Sequence, residues 1–160
     1  MRATSRAPAA LSGGCTAMHS AYGRFTNARL LSEAMQDTKI LTILVIEDDR
    51  ALGPLTVDRL RANGHRAALA ATADRAFQLL SEDHFFDAIV LDLQLGATNA
   101  EQLVVRLRAL YVDLPPIVIV SGLDQHDLDD AARRIGVVGV CRKPCTHEEL
   151  MAAIDVAMTV

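Results

Sequence analysis

From residue 40 onward the chain repeats one pattern five times: a short, almost unbroken apolar run, then a segment with helical spacing. The runs are Ile40–Ile46, His65–Ala70, Ala88–Leu91, Ile117–Val120 and Val137–Cys141. Helical spacing covers Ala51–Ala62, Thr72 to about Ser81, the region near Ala100–Leu110, Asp124–Ile135 and Thr146–Met158. A sheet with one wet face shows alternating apolar and polar residues, so continuous apolar runs predict strands covered on both faces. Strands alternating with helices predict parallel pairing. The expected fold is therefore α/β, a doubly wound, five-stranded parallel sheet with helices on both faces.

Local signals support these divisions. Asn63-Gly64 and Gly136 stand where helices should stop, and Pro115-Pro116 breaks the chain before the fourth run. Thr72 is placed to cap a helix, and Thr146 with Glu149 has the form of a capping box. Leu52, Leu55 and Leu60 are the predicted core side of the first helix, and His65 reads as a half-exposed strand residue.

The polar residues at the ends of the runs carry the chemistry. Glu47-Asp48-Asp49 follows the first run, Asp92 the third, Ser121-Gly122 the fourth and Lys143-Pro144 the fifth. In an open parallel sheet the carboxyl ends of the strands converge on one crevice, where ligands bind. Carboxylates, a hydroxyl and an ammonium suit a divalent cation and a phosphoryl group. Glu47, Asp48 and Asp92 can approach one another closely only with a cation between them. Lys143 can pair with Asp92 and then with a phosphoryl oxygen, and Ser121 can hydrogen-bond another. Plainer roles compete: Asp49 as a helix cap, Lys143 as a surface charge, Ser121 as a turn residue, Pro144 as a strand end. The order of the four signals, and separations of 44, 29 and 22 residues from Asp48 through Asp92 and Ser121 to Lys143, favour a joint site.

Composition narrows the partners. Residues 1–39 hold five basic side chains (Arg2, Arg6, Arg24, Arg29, Lys39) against Glu33 and Asp37, a net +3. The whole chain carries −4, so residues 40–160 carry −7. So acidic a domain argues against direct nucleic-acid binding, which needs clustered Lys and Arg. No apolar stretch approaches the roughly 20 residues of a membrane span. Three cysteines, Cys15, Cys141 and Cys145, do not form a disulfide framework and suggest a reducing cytoplasm. Residues 1–39, rich in Arg, Ala, Ser, Gly and Thr, read as a flexible extension or a misassigned start, with Met18 and Met35 as other starts. Cys141, Cys145 and His147 loosely suggest a metal site, but their spacing fits core residues around a strand end. The run Asp124, Asp127, Asp129, Asp130 reads as a solvated helix face.

Taken together, Ile43-Leu44-Val45-Ile46-Glu47-Asp48-Asp49, Asp87-Ala88-Ile89-Val90-Leu91-Asp92-Leu93, Ile119-Val120-Ser121-Gly122 and Lys143-Pro144 make residues 40–158 resemble the receiver domain of two-component response regulators. The resemblance implies a flavodoxin-like (βα)5 domain over residues 40–160, acting in phosphorelay signalling rather than as an enzyme. It implies that Asp92 accepts phosphate from a histidine kinase or histidine phosphotransfer protein. Magnesium, or manganese in its place, would be held by Glu47, Asp48, Asp92 and the backbone carbonyl of Gln94. Ser121 and Lys143 would couple phosphorylation to a shift in the last helices and strand, and Lys143-Pro144 is a candidate cis peptide. Gln94 and Leu123 would tune the lifetime of the phosphoryl group. Output would pass to a downstream protein target without an output domain of its own, with homodimerisation on phosphorylation among the expectations.

Three positions depart from the family. Gly96 stands where Pro is usual, which predicts a looser loop. Ala100 stands where Gly is usual, and Val140 replaces the aromatic switch residue. Two other readings compete: a degenerate receiver acting as a constitutive interaction module, and a haloacid-dehalogenase-like phosphatase. The latter needs a second Asp two residues after its nucleophile, where this chain has Gln94.

Overall fold

A computed structural model describes residues 39–82, 85–96 and 98–159; the expectations for residues 1–38 lie outside them. Five strands, β1 (Thr42–Ile46), β2 (Arg66–Ala70), β3 (Ala88–Asp92), β4 (Ile117–Ser121) and β5 (Gly139–Arg142), alternate with five helices. The helices are α1 (Leu52–Ala62), α2 (Ala73–Ser81), α3 (Ala100–Leu110), α4 (Gln125–Ile135) and α5 (His147–Met158). All strand pairs are parallel, in the order β2-β1-β3-β4-β5, which is the doubly wound fold expected.

Successive side chains of each strand feed opposite cores. Leu44, Ile46, Ile89, Leu91, Ile117 and Ile119 pack with residues of α2, α3 and α4. Ile43, Val45, Ala88, Val90, Val118 and Val120 pack with residues of α1 and α5. Burial on both faces is what made the strands continuously apolar in sequence. The predicted caps form: Thr72 Oγ1 accepts from Arg75 N–H at 3.2 Å, and Thr146 and Glu149 make the reciprocal capping box. Gly136 ends α4 at φ +72, the left-handed conformation that favours glycine.

The structure corrects four expectations. Leu52 and Leu55 are 42% and 53% exposed, and the buried stripe of α1 is Gly53, Val57 and Leu60. A β-carbon on Gly53 would lie 2.9 Å from Leu69 Cδ1 and 3.3 Å from the Glu47 carbonyl oxygen, so the helix meets the sheet through the residue lacking a side chain. His65 is 6% exposed and precedes β2. Its Nδ1 accepts from Leu41 N–H at 3.3 Å, and its ring centroid lies 5.7 Å from that of His147. Burial, then the neighbouring His147, lowers its pKa. The last strand begins at Gly139 rather than Val137, because Val137 N–H bonds back to Ala132 in the cap of α4. Finally, β3 includes Asp92 and β4 includes Ser121, so these polar residues are held by the sheet itself.

Candidate functional site

Three strand ends bring together the residues expected there. β1 runs straight into Glu47, β3 ends on Asp92, and the turn after β5 carries Lys143. Glu47 and Asp92 are each 5% exposed, whereas Asp48 is exposed. Ligand oxygens of Glu47, Asp48 and Asp92 all lie within 4.8 Å of one another. Lys143 Nζ donates to Glu47 Oε2 at 2.6 Å and to Asp92 Oδ2 at 2.9 Å. The other Asp92 oxygen, Oδ1, accepts from Gln94 N–H at 3.0 Å, so the carboxylate is fixed at both ends.

The charges are unequally matched. Burial raises the pKa of Glu47, against the hydrogen bonds from Lys143 and Asp49, and the nearby charge of Asp92 adds to the rise. Burial also works against the Lys143 charge, but its bonds to Glu47 and Asp92 outweigh that and raise its pKa. Lys143 thus bridges the two buried carboxylates, while the exposed Asp48 completes the acidic cluster. Asp49 turns away from the cluster: its Oδ1 accepts from Ala51 and Leu52 N–H, both at 2.8 Å, and these bonds lower its pKa. That is the helix-start role weighed for it in sequence.

Ser121 is fully buried, one residue beyond the register partner of Asp92. Its Oγ accepts from Leu123 N–H at 3.3 Å, and its carbonyl from Lys143 N–H at 2.7 Å. The Lys143–Pro144 peptide is cis. Exposed Gln94 directs its side chain across to the next loop, its Oε1 3.7 Å from where a β-carbon of Gly122 would stand. Leu123 is half-buried against the core on the α4 side, and Val140 of β5 packs on the same core.

Gly96 is not the slack link expected. It sits at φ +37, and a β-carbon built on it would fall 2.6 Å from Asp48 Oδ2, so the loop after β3 closes onto the metal-binding candidate. Ala100 is the first, buried residue of α3, a place that needs no special backbone angle. A cavity of about 320 Å³ opens beside Asp92 and Lys143, walled by Leu52, Leu55, Leu150 and Cys145 with Arg59 at its side. The exposed leucines of α1 thus line the approach to the site, a role their helical spacing did not reveal. A larger cavity, about 490 Å³, lies near the turns before β4 and β5, and it holds none of the clustered carboxylates.

A parallel five-stranded sheet with carboxylates and a lysine gathered at its strand ends is the architecture of a signalling receiver. The chain belongs to the response regulator receiver domain family, whose sequence profile matches residues 43–155. It is 31% identical over 119 residues to the regulatory protein VirG of Agrobacterium fabrum, covering 74% of this chain and 46% of that protein. It is 32% identical over 110 residues to the response regulator MprA of Mycolicibacterium vanbaalenii, covering 69% and 47%. The chain therefore spans about half the length of these curated relatives. Among solved structures, a CheY-like receiver domain from Methylobacillus flagellatus superimposes with a TM-score of 0.63 at 26% identity, covering 74% of this chain and 98% of that one. A receiver domain from Clostridium thermocellum gives 0.65 at 20% identity, covering 75% and 95%, a likeness of fold. Receivers of this family are signalling domains phosphorylated by histidine kinases, and they bind Mg²⁺ at an acidic pocket. No helix among the described residues is long and apolar enough to cross a membrane.

Proposed function

We propose that this receiver accepts a phosphoryl group on Asp92 from the phosphohistidine of a partner kinase or phosphotransfer protein, in a magnesium-dependent reaction. The observation that carries the reading is the Asp92 carboxylate: buried at the end of β3, held by Lys143 and Gln94 N–H, with Glu47 and Asp48 oxygens within 4.8 Å. Crowded carboxylates repel and are costly to desolvate, so a single lysine leaves them short of positive charge. Three hard oxygen donors fit magnesium, or manganese, and Glu47, Asp48, Asp92 and the Gln94 carbonyl would hold it. When bound, the metal supplies charge opposite to that on the transferring phosphoryl group.

In the transfer an Asp92 oxygen forms the new O–P bond while the N–P bond to the donor histidine breaks, and the electron pair stays on that nitrogen. Lys143 then exchanges the Asp92 oxygen for a phosphoryl oxygen. Because Ser121 Oγ accepts from Leu123 N–H, the hydroxyl keeps its hydrogen for the phosphoryl group. The phosphoryl group offers these bonds only in the modified state, and so biases the loop after β4 together with α4, β5 and α5. Val140 has no ring to swing, so the switch rests on the Ser121 hydroxyl and the backbone around it. Gln94 and Leu123 flank the line of water attack and set the lifetime. Residues 40–160 act as the signalling domain, distinct from residues 1–39, through contacts with a downstream protein and by pairing of phosphorylated copies.

Acetyl phosphate with Mg²⁺ should add one acid-labile phosphate, lost in Asp92→Asn and on chelation, and restored by Mg²⁺ or Mn²⁺. Undiminished labelling of Asp92→Asn would overturn the assignment. A native protein that no donor labels would instead be a constitutive interaction module.

A further inference from the structure

The cavity of about 320 Å³ beside the acceptor has a wall that the phosphoryl chemistry does not use. Both partners of the 2.9 Å Lys143–Asp92 bond line it, together with Glu47. Among the described residues of the site, Asp48, Gln94 and Ser121 do not, so it opens on the lysine side of Asp92. Its floor is the edge of the core under α1 and α5, where Val45, Val90, Val120 and Leu150 are buried. Its mouth is flanked by the exposed Leu52 and Leu55 of α1. Single exposed leucines need no explanation, but two beside one apolar cavity extend its surface into solvent. Cavities that take small molecules begin at about this size, and they combine apolar walls with a few polar groups. Here Arg59 adds a cation at the side: its Nη1 donates to the Cys145 carbonyl at 2.9 Å, which fixes the guanidinium there.

We propose that this cavity admits a small-molecule phosphodonor, an acyl phosphate with a short apolar chain, and that Leu52, Leu55 and Leu150 select for the chain. The inference rests on Asp92 being the acceptor. The phosphoryl end of the donor meets Asp92 and Lys143, and its carbon chain lies along the leucines. In the transfer an Asp92 oxygen forms the new O–P bond while the P–O bond to the acyl group breaks. The electron pair stays on the acyl oxygen, so a carboxylate leaves and no proton moves. Charge favours this occupant over an apolar side chain of a partner protein. Such a side chain would fill the same wall but offer the Arg59 guanidinium no anion, whereas the leaving carboxylate is matched by it. Acetyl phosphate, with only a methyl group, leaves most of the wall wet. Each further methylene displaces water from it.

The test measures second-order labelling rate constants of the full chain, with Mg²⁺, for acetyl, propionyl and butyryl phosphate. Phosphoramidate serves as a donor without a carbon chain. The carboxylates released are of nearly equal basicity, so chain length alters binding and not the chemistry. The rate constant should rise about fourfold per added methylene, the rate equivalent of burying it. Leu55→Ser should bring the butyryl-to-acetyl ratio toward one, and Leu55→Met, which keeps the wall apolar, should preserve it. Leu55 is exposed on α1, so neither change disturbs the core. Arg59→Gln should slow the acyl phosphates relative to phosphoramidate, which releases ammonia, and an unchanged ratio would remove Arg59 from the step. Equal rates for the acyl phosphates, in protein that phosphoramidate labels, would overturn the acyl site and give the apolar wall to a partner's side chain. A chain that no donor labels, phosphoramidate included, counts against Asp92 as the acceptor and takes this inference with it.

Discussion

A β-carbon at position 96 would need to share space with Asp48 Oδ2, 2.6 Å away, on a backbone already at φ +37. Gly96→Ala should therefore cost about 1–2 kcal/mol of stability through strain. It should also displace the Asp48 carboxylate and weaken Mg²⁺ binding several-fold. Calorimetric titration with Mg²⁺ checks this, and an unchanged affinity would remove Asp48 from the metal set. Sequence reading predicted a looser loop here, because what constrains Gly96 is a carboxylate from another strand end, and no local pattern encodes that meeting. His65 is legible only in the same non-local way. Its lowered pKa means the folded chain binds fewer protons than the unfolded one, whose histidine titrates near 6.5. The stability it contributes is complete above about pH 6.5 and falls as the pH drops toward the folded value. Melting temperatures from pH 7.5 down to 5.5 should fall less steeply in His65→Gln than in the parent, and identical slopes would refute a neutral buried His65.

Among the elements, α5 lies directly on the backbone of β5. A β-carbon on Gly139 would meet the Ala153 carbonyl oxygen at 2.7 Å, Val118 Cγ2 at 2.8 Å and Ala157 Cβ at 3.0 Å. None of these is the far end of a flexible side chain, so Gly139→Ala must move the helix, at a cost of about 1–3 kcal/mol. Its urea midpoint should fall accordingly, and an unchanged midpoint would mean that α5 has room to shift. On the other face, Arg108 of α3 donates to the last carbonyls of α4, Ile135 at 2.5 Å and Gly136 at 2.7 Å, and Arg134 pairs with Glu101 at 3.0 Å. The elements themselves were legible because their signals are local: apolar runs, the Thr72 cap, the Thr146–Glu149 box and the Gly136 stop. The facing of α1 was not. Leucines at 52 and 55 attract the eye, while the close contact of Gly53 with Leu69 and the Glu47 carbonyl decides which side is buried.

At the scale of the molecule, the site was readable because a doubly wound sheet sends every strand's carboxyl end to one edge, so four polar residues spread along the chain had one place to meet. The cavity beside Asp92 was not readable, since it depends on how α1 and the turn after β5 pack. The strand order also divides the site mechanically. β1, β3 and β4 are each bonded on both sides, whereas β5 is bonded only to β4. Local opening of β5 breaks one ladder instead of two, and regions with fewer such bonds open at lower free energy. Backbone amides of β5 should therefore exchange with solvent deuterium before those of β1 and β3, and the reverse order would contradict this division. Glu47 and Asp92 stand at the ends of strands anchored within the sheet, while Lys143 hangs from one of its two edge strands. The buried anions of the site are thus its fixed frame, and the lysine that answers them sits at an edge of the sheet, where the fold is easier to move.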